Sequence, residues 1–353
     1  MKLQSLTIKD ITAKLPIIQG GMGVGISGWR LASAVATAGG IGIISGAQSG
    51  YKETDFNKNN LEANLRAFRA EIRKARENTK GIIGVNLMVA MRSYAELAKV
   101  AVEEKVDLII SGAGLPVQLP EFVLGSTTKI VPIVSSLRAA ELIIKRWQKK
   151  FERQPDAIIV EGPEAGGHLG FTREDLVEGT ADDVYTLVKE LKTYLNENNM
   201  DVPVIAAGGI FHGEDIVRAI EAGASGVQMS TRFVATHECD ASEEFKQAYV
   251  NSKKEDIVIM QSPVGLPGRA LMNPMLRTVT DGERVKISKC HQCVTKCDPK
   301  TTPFCITEAL INAAKGDLDN SLLFVGSRVW EVDHISSVQE IMDELVLEVE
   351  AIE

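Results

Sequence analysis

The sequence predicts an α/β protein, a (β/α)8 barrel of the TIM type with a small helical lid inserted after the eighth strand. Three observations predict it. Eight short runs rich in aliphatic residues recur between residues 16 and 229. The runs are almost continuously apolar, the pattern of strands buried on both faces of a parallel sheet. Amphipathic helical periodicity fills most of the gaps, so strands and helices alternate as barrel units do. A doubly wound open sheet is the alternative with the same alternation.

The first run, "PIIQGG" (16–21), opens onto "GGMGVGISG". There Gly23, Gly25 and Gly28 match G-x-G-x-x-G after a strand and before a helix. A dinucleotide site also needs an acid about 20 residues further on. That region reads "GIGIISG", so a tight turn bringing backbone close to a ligand or another strand is favoured. The second run, "IGII" (41–44), precedes "NLEANLRAFRAEIRKARENTK", a helix charged along one side and expected on the outside.

The third run, "GIIGVN" (81–86), ends on Asn86. An amide both donates and accepts, which suits the edge of a heteroaromatic ring, although turn formation or capping explains it equally well. The fourth and fifth runs, "VDLII" (106–110) and "KIVPIV" (129–134), carry no such group. The sixth, "DAIIV" (156–160), leads into "EGPEAGGHLGF", which offers Glu161, the pair Gly166 and Gly167, and then His168. In the helix that follows, Val184, Leu187, Val188, Leu191 and Leu195 form one apolar stripe.

The seventh run, "VPVIAA" (202–207), ends on Gly208 and Gly209, and the next helix is expected to stop at Gly223. The eighth, "SGVQM" (225–229), carries Gln228 and Met229 into Ser230 and Thr231. The barrel is thus assigned to residues 1–232, a lid with a cysteine cluster to 233–304, and helices that pack back on the barrel to 305–353.

In a barrel the C-terminal strand ends share one rim, where active sites are built, and the loops after strands seven and eight commonly cradle phosphate. Glycines let backbone N–H groups approach phosphate oxygens, and Ser230 and Thr231 add hydroxyls. His168 would then reach over the barrel mouth. Histidine titrates near neutrality and serves as acid, base or fixed cation. His212, His237, His291 and His334 lack comparable surroundings.

Composition excludes several classes. The 353 residues are 44% hydrophobic and 24% charged, with a formal net charge of −8, so no basic face for nucleic acid is expected. No apolar run approaches the ~20 residues of a membrane span. The start "MKLQSLTIKD" has no apolar export core, and a cytoplasmic protein is expected. Four of five cysteines, Cys290, Cys293, Cys297 and Cys305, are spaced C-x2-C-x3-C-x7-C. They are read, like Cys239, as reduced thiols with no metal. Four thiolates would also suffice for zinc or an iron–sulfur cluster.

The stretches "PIIQGGMG", "AGGIGII", "GVNLM", "EGPEAGGHLG", "PVIAAGGI" and "GVQMSTRFVAT" occur in this order between residues 16 and 236. Together they resemble the nitronate monooxygenase family, formerly called 2-nitropropane dioxygenases, and its relatives the FMN-dependent enoyl-ACP reductases. The resemblance implies a (β/α)8 barrel with a helical lid and non-covalent FMN at the rim. It places backbone around Gly21 and Met22 beside the isoalloxazine and has Asn86 hydrogen-bond the flavin. Glu161 falls where many nitronate oxidisers have a flavin-contacting glutamine. Gly166, Gly167, Gly208, Gly209, Gln228, Met229, Ser230 and Thr231 would hold ring and phosphate, and His168 would be the catalytic histidine.

The implied reaction is oxidation of an alkyl nitronate with O2. Glu161 and "PIIQGGM" look as much like the enoyl reductases, so an NAD(P)H-dependent reductase of an enoyl thioester or a quinone stays open. The region past residue 260 is unlike those reductases. A flavin- or metal-binding protein with a structural or redox-sensing role is a further alternative, suggested by the cysteines. A homodimer is compatible with the resemblance.

Overall fold

The computed structural model describes residues 2–352; Met1 and Glu353, the outer ends of the first and last assigned segments, lie outside the described residues. The eight apolar runs form eight strands: β1 (Ile17–Gln19), β2 (Ile41–Ser45), β3 (Ile82–Met88), β4 (Leu108–Gly112), β5 (Lys129–Val134), β6 (Ile158–Glu161), β7 (Val204–Ala207) and β8 (Gly226–Met229). They pair in parallel in sequence order, and β8 closes on β1 through Val227, Gln228 and Met229 opposite Ile17, Ile18 and Gln19. The open-sheet alternative is thereby excluded.

Alternation along each strand divides the side chains between two cores. Ile18, Ile43, Leu108, Ile110, Val131, Ile159 and Ile205 pack inside the barrel. Their neighbours Ile17, Ile44, Ile109, Ile130, Ile158 and Val204 face the helices. Both sets are fully apolar, which is why the strands read as continuous runs. The predicted stripe of Val184, Leu187, Val188, Leu191 and Leu195 is the buried face of helix Val184–Glu197. Helix Asn60–Asn78 buries Ala63, Phe68, Ile72 and Ala75 and turns its charged side outward.

A hairpin that the sequence reading did not assign, Leu6–Ile8 with Ile11–Ala13, closes the lower end of the barrel. Its Leu6, Ile8 and Ala13 join the interior core, and Asp10 at its turn pairs with the buried Lys129 at the foot of β5. The opposite end stays open.

The segment after β8 was expected to be helices and loops. It contains helices Glu243–Val250 and Pro274–Thr280, but between them lies a hairpin, Ile257–Gln261 with Pro267–Leu271. Gly167–His168 adds a third antiparallel strand, with His168 opposite Gly268 and Gly167 opposite Arg269. Helix Val338–Ala351 packs back against Trp29–Thr37 and Gly213–Glu221. No helix among the described residues is long and apolar enough to cross a membrane.

Candidate active site

Strand alternation also builds the floor of the open end. Two residues beyond the interior Ile43 comes Ser45, and two beyond Ile159 comes Glu161. Asn86 and Gln228 occupy the equivalent inward positions of β3 and β8. All four line a cavity of about 250 Å3 at the C-terminal rim. The Gln228 side-chain oxygen is buried there with no hydrogen-bond partner among the described residues. A buried acceptor left unpaired costs about 1–3 kcal/mol, so it calls for a donor from outside the chain. Burial pushes the Glu161 carboxyl up to about 8, which leaves it protonated at neutral pH. A neutral carboxyl donates and accepts as an amide does.

The rim above this floor is glycine-rich for steric reasons. Gly208 and Gly209 both have positive φ, 90° and 81°, which an L side chain adopts only with strain. Their N–H groups and that of Ser230 make no hydrogen bond to the described residues. Across the cavity, a Cβ on Gly166 would lie 2.7 Å from the backbone of Val325, so only glycine lets these two segments meet. Gly21, Met22, Gly167, Met229 and Thr231 line the same cavity. Every residue assigned from the sequence to the flavin or to catalysis therefore borders one space. The first glycine cluster is a turn, as favoured: Met22 and Ser27 close it through both backbone and Ser27 Oγ bonds of 2.8–3.1 Å.

His168 lies on the flap strand over this opening. Its Nε2 sits 2.7 Å from Ser262 Oγ, and its ring meets Phe324 edge-on at 4.8 Å. Burial lowers its pKa to about 4, so the imidazole is neutral at pH 7. The loop that delivers it is braced by Arg269, whose guanidinium donates to the Pro163 carbonyl at 2.8 Å and to the Ala165 carbonyl.

Ser262, Arg269, Phe324 and the run Val325 to Arg328 were not found from the sequence. They belong to segments that carry no glycine motif next to an apolar strand. Arg328 lines the cavity too, but its charge is engaged by Asp215 at 2.6 Å and by a two-pronged pair with Glu331. The rim thus presents free backbone N–H groups and the hydroxyls of Ser230, Thr231 and Ser327 rather than the charge of Arg328. The Ser327 hydroxyl is itself buried without a partner among the described residues.

A family profile described as nitronate monooxygenase matches residues 4–348. A dehydrogenase of Rhodococcus jostii (strain RHA1), acting on an octahydro-indene carboxyl-CoA by its name, is 28% identical over 271 residues. That match covers 75% of this chain but 64% of the relative, so the chain spans less than two thirds of its length. A "Probable nitronate monooxygenase" of Staphylococcus aureus (strain Newman) is 28% identical over 307 residues, 77% of this chain and 79% of that one. Among solved structures, FabK from Thermotoga maritima superposes with a TM-score of 0.74 at 29% identity, covering 96% of this chain and 93% of its own. A nitroalkane oxidase from Streptomyces ansochromogenes, at 22% identity, shares the fold with a TM-score of 0.72 over 96% of each chain.

Proposed function

The chain belongs to the nitronate monooxygenase family, and from that premise we propose that it is a flavin-dependent oxidoreductase that binds FMN and oxidises alkyl nitronates with O2. The observation that carries this reading is a neutral histidine placed on the same cavity as an unpaired buried acceptor and a row of unbonded backbone donors. The donors at Gly208, Gly209 and Ser230 suit a single phosphate. The acceptor on Gln228 and the two-sided groups Asn86 and Glu161 suit the polar edge of a flavin ring. When bound, the flavin supplies the electron chemistry, and the protein binds, orients and excludes water.

The environment of His168 bears on the substrate. An imidazole whose conjugate acid titrates near 4 is a weak base, ill matched to stripping a proton from carbon. It remains a good N–H donor. A preformed nitronate, already an anion, needs that donor and no base. This favours nitronates over neutral nitroalkanes. Ser262 fixes the ring through Nε2, and Nδ1 has no partner among the described residues.

Glu161 favours a second reading, an NAD(P)H-dependent flavin reductase of an enoyl thioester or quinone, since the glutamine of many nitronate oxidisers is absent. Anaerobic titration of the purified protein with a nitronate and, separately, with NADH decides between them. Bleaching of the flavin spectrum by nitronate supports the first reading. Bleaching by NADH alone, with no nitronate-dependent oxygen uptake, supports the second. Heat release and chromatography identify the cofactor, and FAD would defeat the single-phosphate argument.

A further inference from the structure

We propose that Cys290, Cys293, Cys297 and Cys305 hold an iron–sulfur cluster in a second pocket that adjoins the barrel-mouth cavity. This departs from the expectation of reduced thiols without metal. The spacing alone matches neither a ferredoxin run nor a paired zinc knuckle. The pocket carries the inference instead. All four cysteines line one cavity of about 200 Å3, together with Arg92 and His291.

Two features choose between metals. A single zinc ion draws four donors to about 2.0–2.3 Å from one point and leaves no space between them. Here the thiols surround an open volume, and no three His, Cys, Asp or Glu side chains among the described residues converge on one ion. A cluster needs the wider spread, because its thiolates ligate different iron atoms.

The surroundings suit such a group. The Gln292 N–H donates to Cys290 Sγ at 3.4 Å, the kind of hydrogen bond to sulfur that tunes clusters. His291 is 8% exposed, and its Nδ1 is buried without a partner among the described residues. A buried polar group left unsatisfied at the pocket calls for a partner from outside the chain. Four thiolates bring four negative charges. Residues 281–308 carry Arg284, Lys286, Lys289, Lys296 and Lys300 with the acids Asp281, Glu283, Asp298 and Glu308, so the loop is nearly neutral in a chain whose net charge is −8.

The loop is not free to wander. The Arg92 N–H donates to the Cys293 carbonyl at 3.1 Å and the Thr295 N–H to the Ala90 carbonyl at 3.0 Å, which fixes it to the end of β3. Cys293 and Ile306 line both cavities. A cluster held here would therefore lie against the wall of the flavin cavity, a redox group beside a redox site.

The test uses the full chain, purified anaerobically without a metal-affinity tag and incubated with ferrous iron, sulfide and dithiothreitol. After desalting, iron and acid-labile sulfide are measured per chain, and the dithionite-reduced protein is examined by low-temperature EPR. The expected result is iron and sulfide in equal amounts, about four of each for a cubane cluster, with a reduced-cluster signal. Cys297→Ser and Cys305→Ser should lose both while circular dichroism stays unchanged. Stoichiometric zinc, iron without sulfide, or neither in folded wild-type protein overturns the proposal. The wild-type measurement decides even if the variants misfold. It does not depend on flavin content, so a failure of the FMN reading would be seen separately.

Discussion

His168 and Ser262 stand 94 positions apart in the chain and meet at 2.7 Å, the histidine from the β6 loop and the serine from the hairpin that follows β8. Ser262 Oγ also receives the Val264 N–H at 3.3 Å. The hydroxyl can still donate to Nε2, which leaves a proton on Nδ1, or accept from Nε2–H, which leaves Nδ1 bare. One contact thus sets whether Nδ1 presents a donor or a bare nitrogen, and the weak basicity of the ring favours the donor. Replacing His168 by Asn keeps a donor and removes the base. Flavin should stay bound, and because the ring is a weak base turnover of preformed nitronate and of neutral nitroalkane should fall by similar, modest amounts, well short of the about 10² that loss of a general base costs. Steady-state rates on the two substrates check this, and a loss of about 10² or more confined to the nitroalkane would show that His168 is the base after all.

Glu161 makes the protein pH-sensitive with a definite sign. Its carboxyl is raised from 4.5 to about 8 in the folded state, so folding retains a proton that the unfolded chain releases. Stability of the flavin-free protein should therefore decline as pH rises from 4.5 to about 8. His168, lowered from 6.5 to about 4, acts in the opposite sense and loses stability as pH falls through that window. Urea midpoints for Glu161→Gln and wild type should agree near pH 4 and diverge in favour of the variant by pH 8. Coincident curves throughout would show that Glu161 is not held neutral.

Gly209 tests the anion site. Asp at this position must adopt a φ near 81° and would set its Cβ against the Glu164 carboxylate. It would also place a negative charge beside the donors assigned to phosphate. FMN affinity should weaken about tenfold or more, from strain and repulsion together. Fluorescence titration of flavin-depleted protein measures it, and an unchanged Kd would move the phosphate elsewhere.

Arg269 is expected to matter for stability before chemistry. Its buried guanidinium satisfies the carbonyls of Pro163 and Ala165. Arg269→Ala leaves both unpaired, at about 1–3 kcal/mol each, and loosens the strand that carries His168. A clear drop in Tm should accompany loss of turnover. Normal Tm with lost turnover would assign Arg269 to the reaction instead.

The barrel was legible because both faces of each strand are apolar, so burial wrote itself into uninterrupted runs such as "KIVPIV". The floor and rim were legible because Asn86, Glu161 and the glycine pairs follow those runs directly. The hairpin that follows β8 was not. Ile257, Val258 and Ile259 are half-buried, and its second strand begins with Pro267 and Gly268, which read as a loop. Its pairing depends on Gly167–His168, a long-range contact with no local signature. Ser262 and Arg269 were hidden for the same reason. The N-terminal hairpin was hidden by its three-residue strands.

The wall that Val325 to Arg328 contribute has a consequence for biosynthesis. Gly20 at one side of the cavity and Arg328 at the other are separated by most of the chain. Translation delivers the N-terminal parts first, and domains fold as they emerge. All eight barrel strands are available once Met229 has left the ribosome, yet the flap residues and the opposing wall are still to be made. At that stage the residues of the socket's flap and far wall are absent. Capture of the proposed cofactor would therefore wait for Val325 to Arg328 rather than for barrel closure.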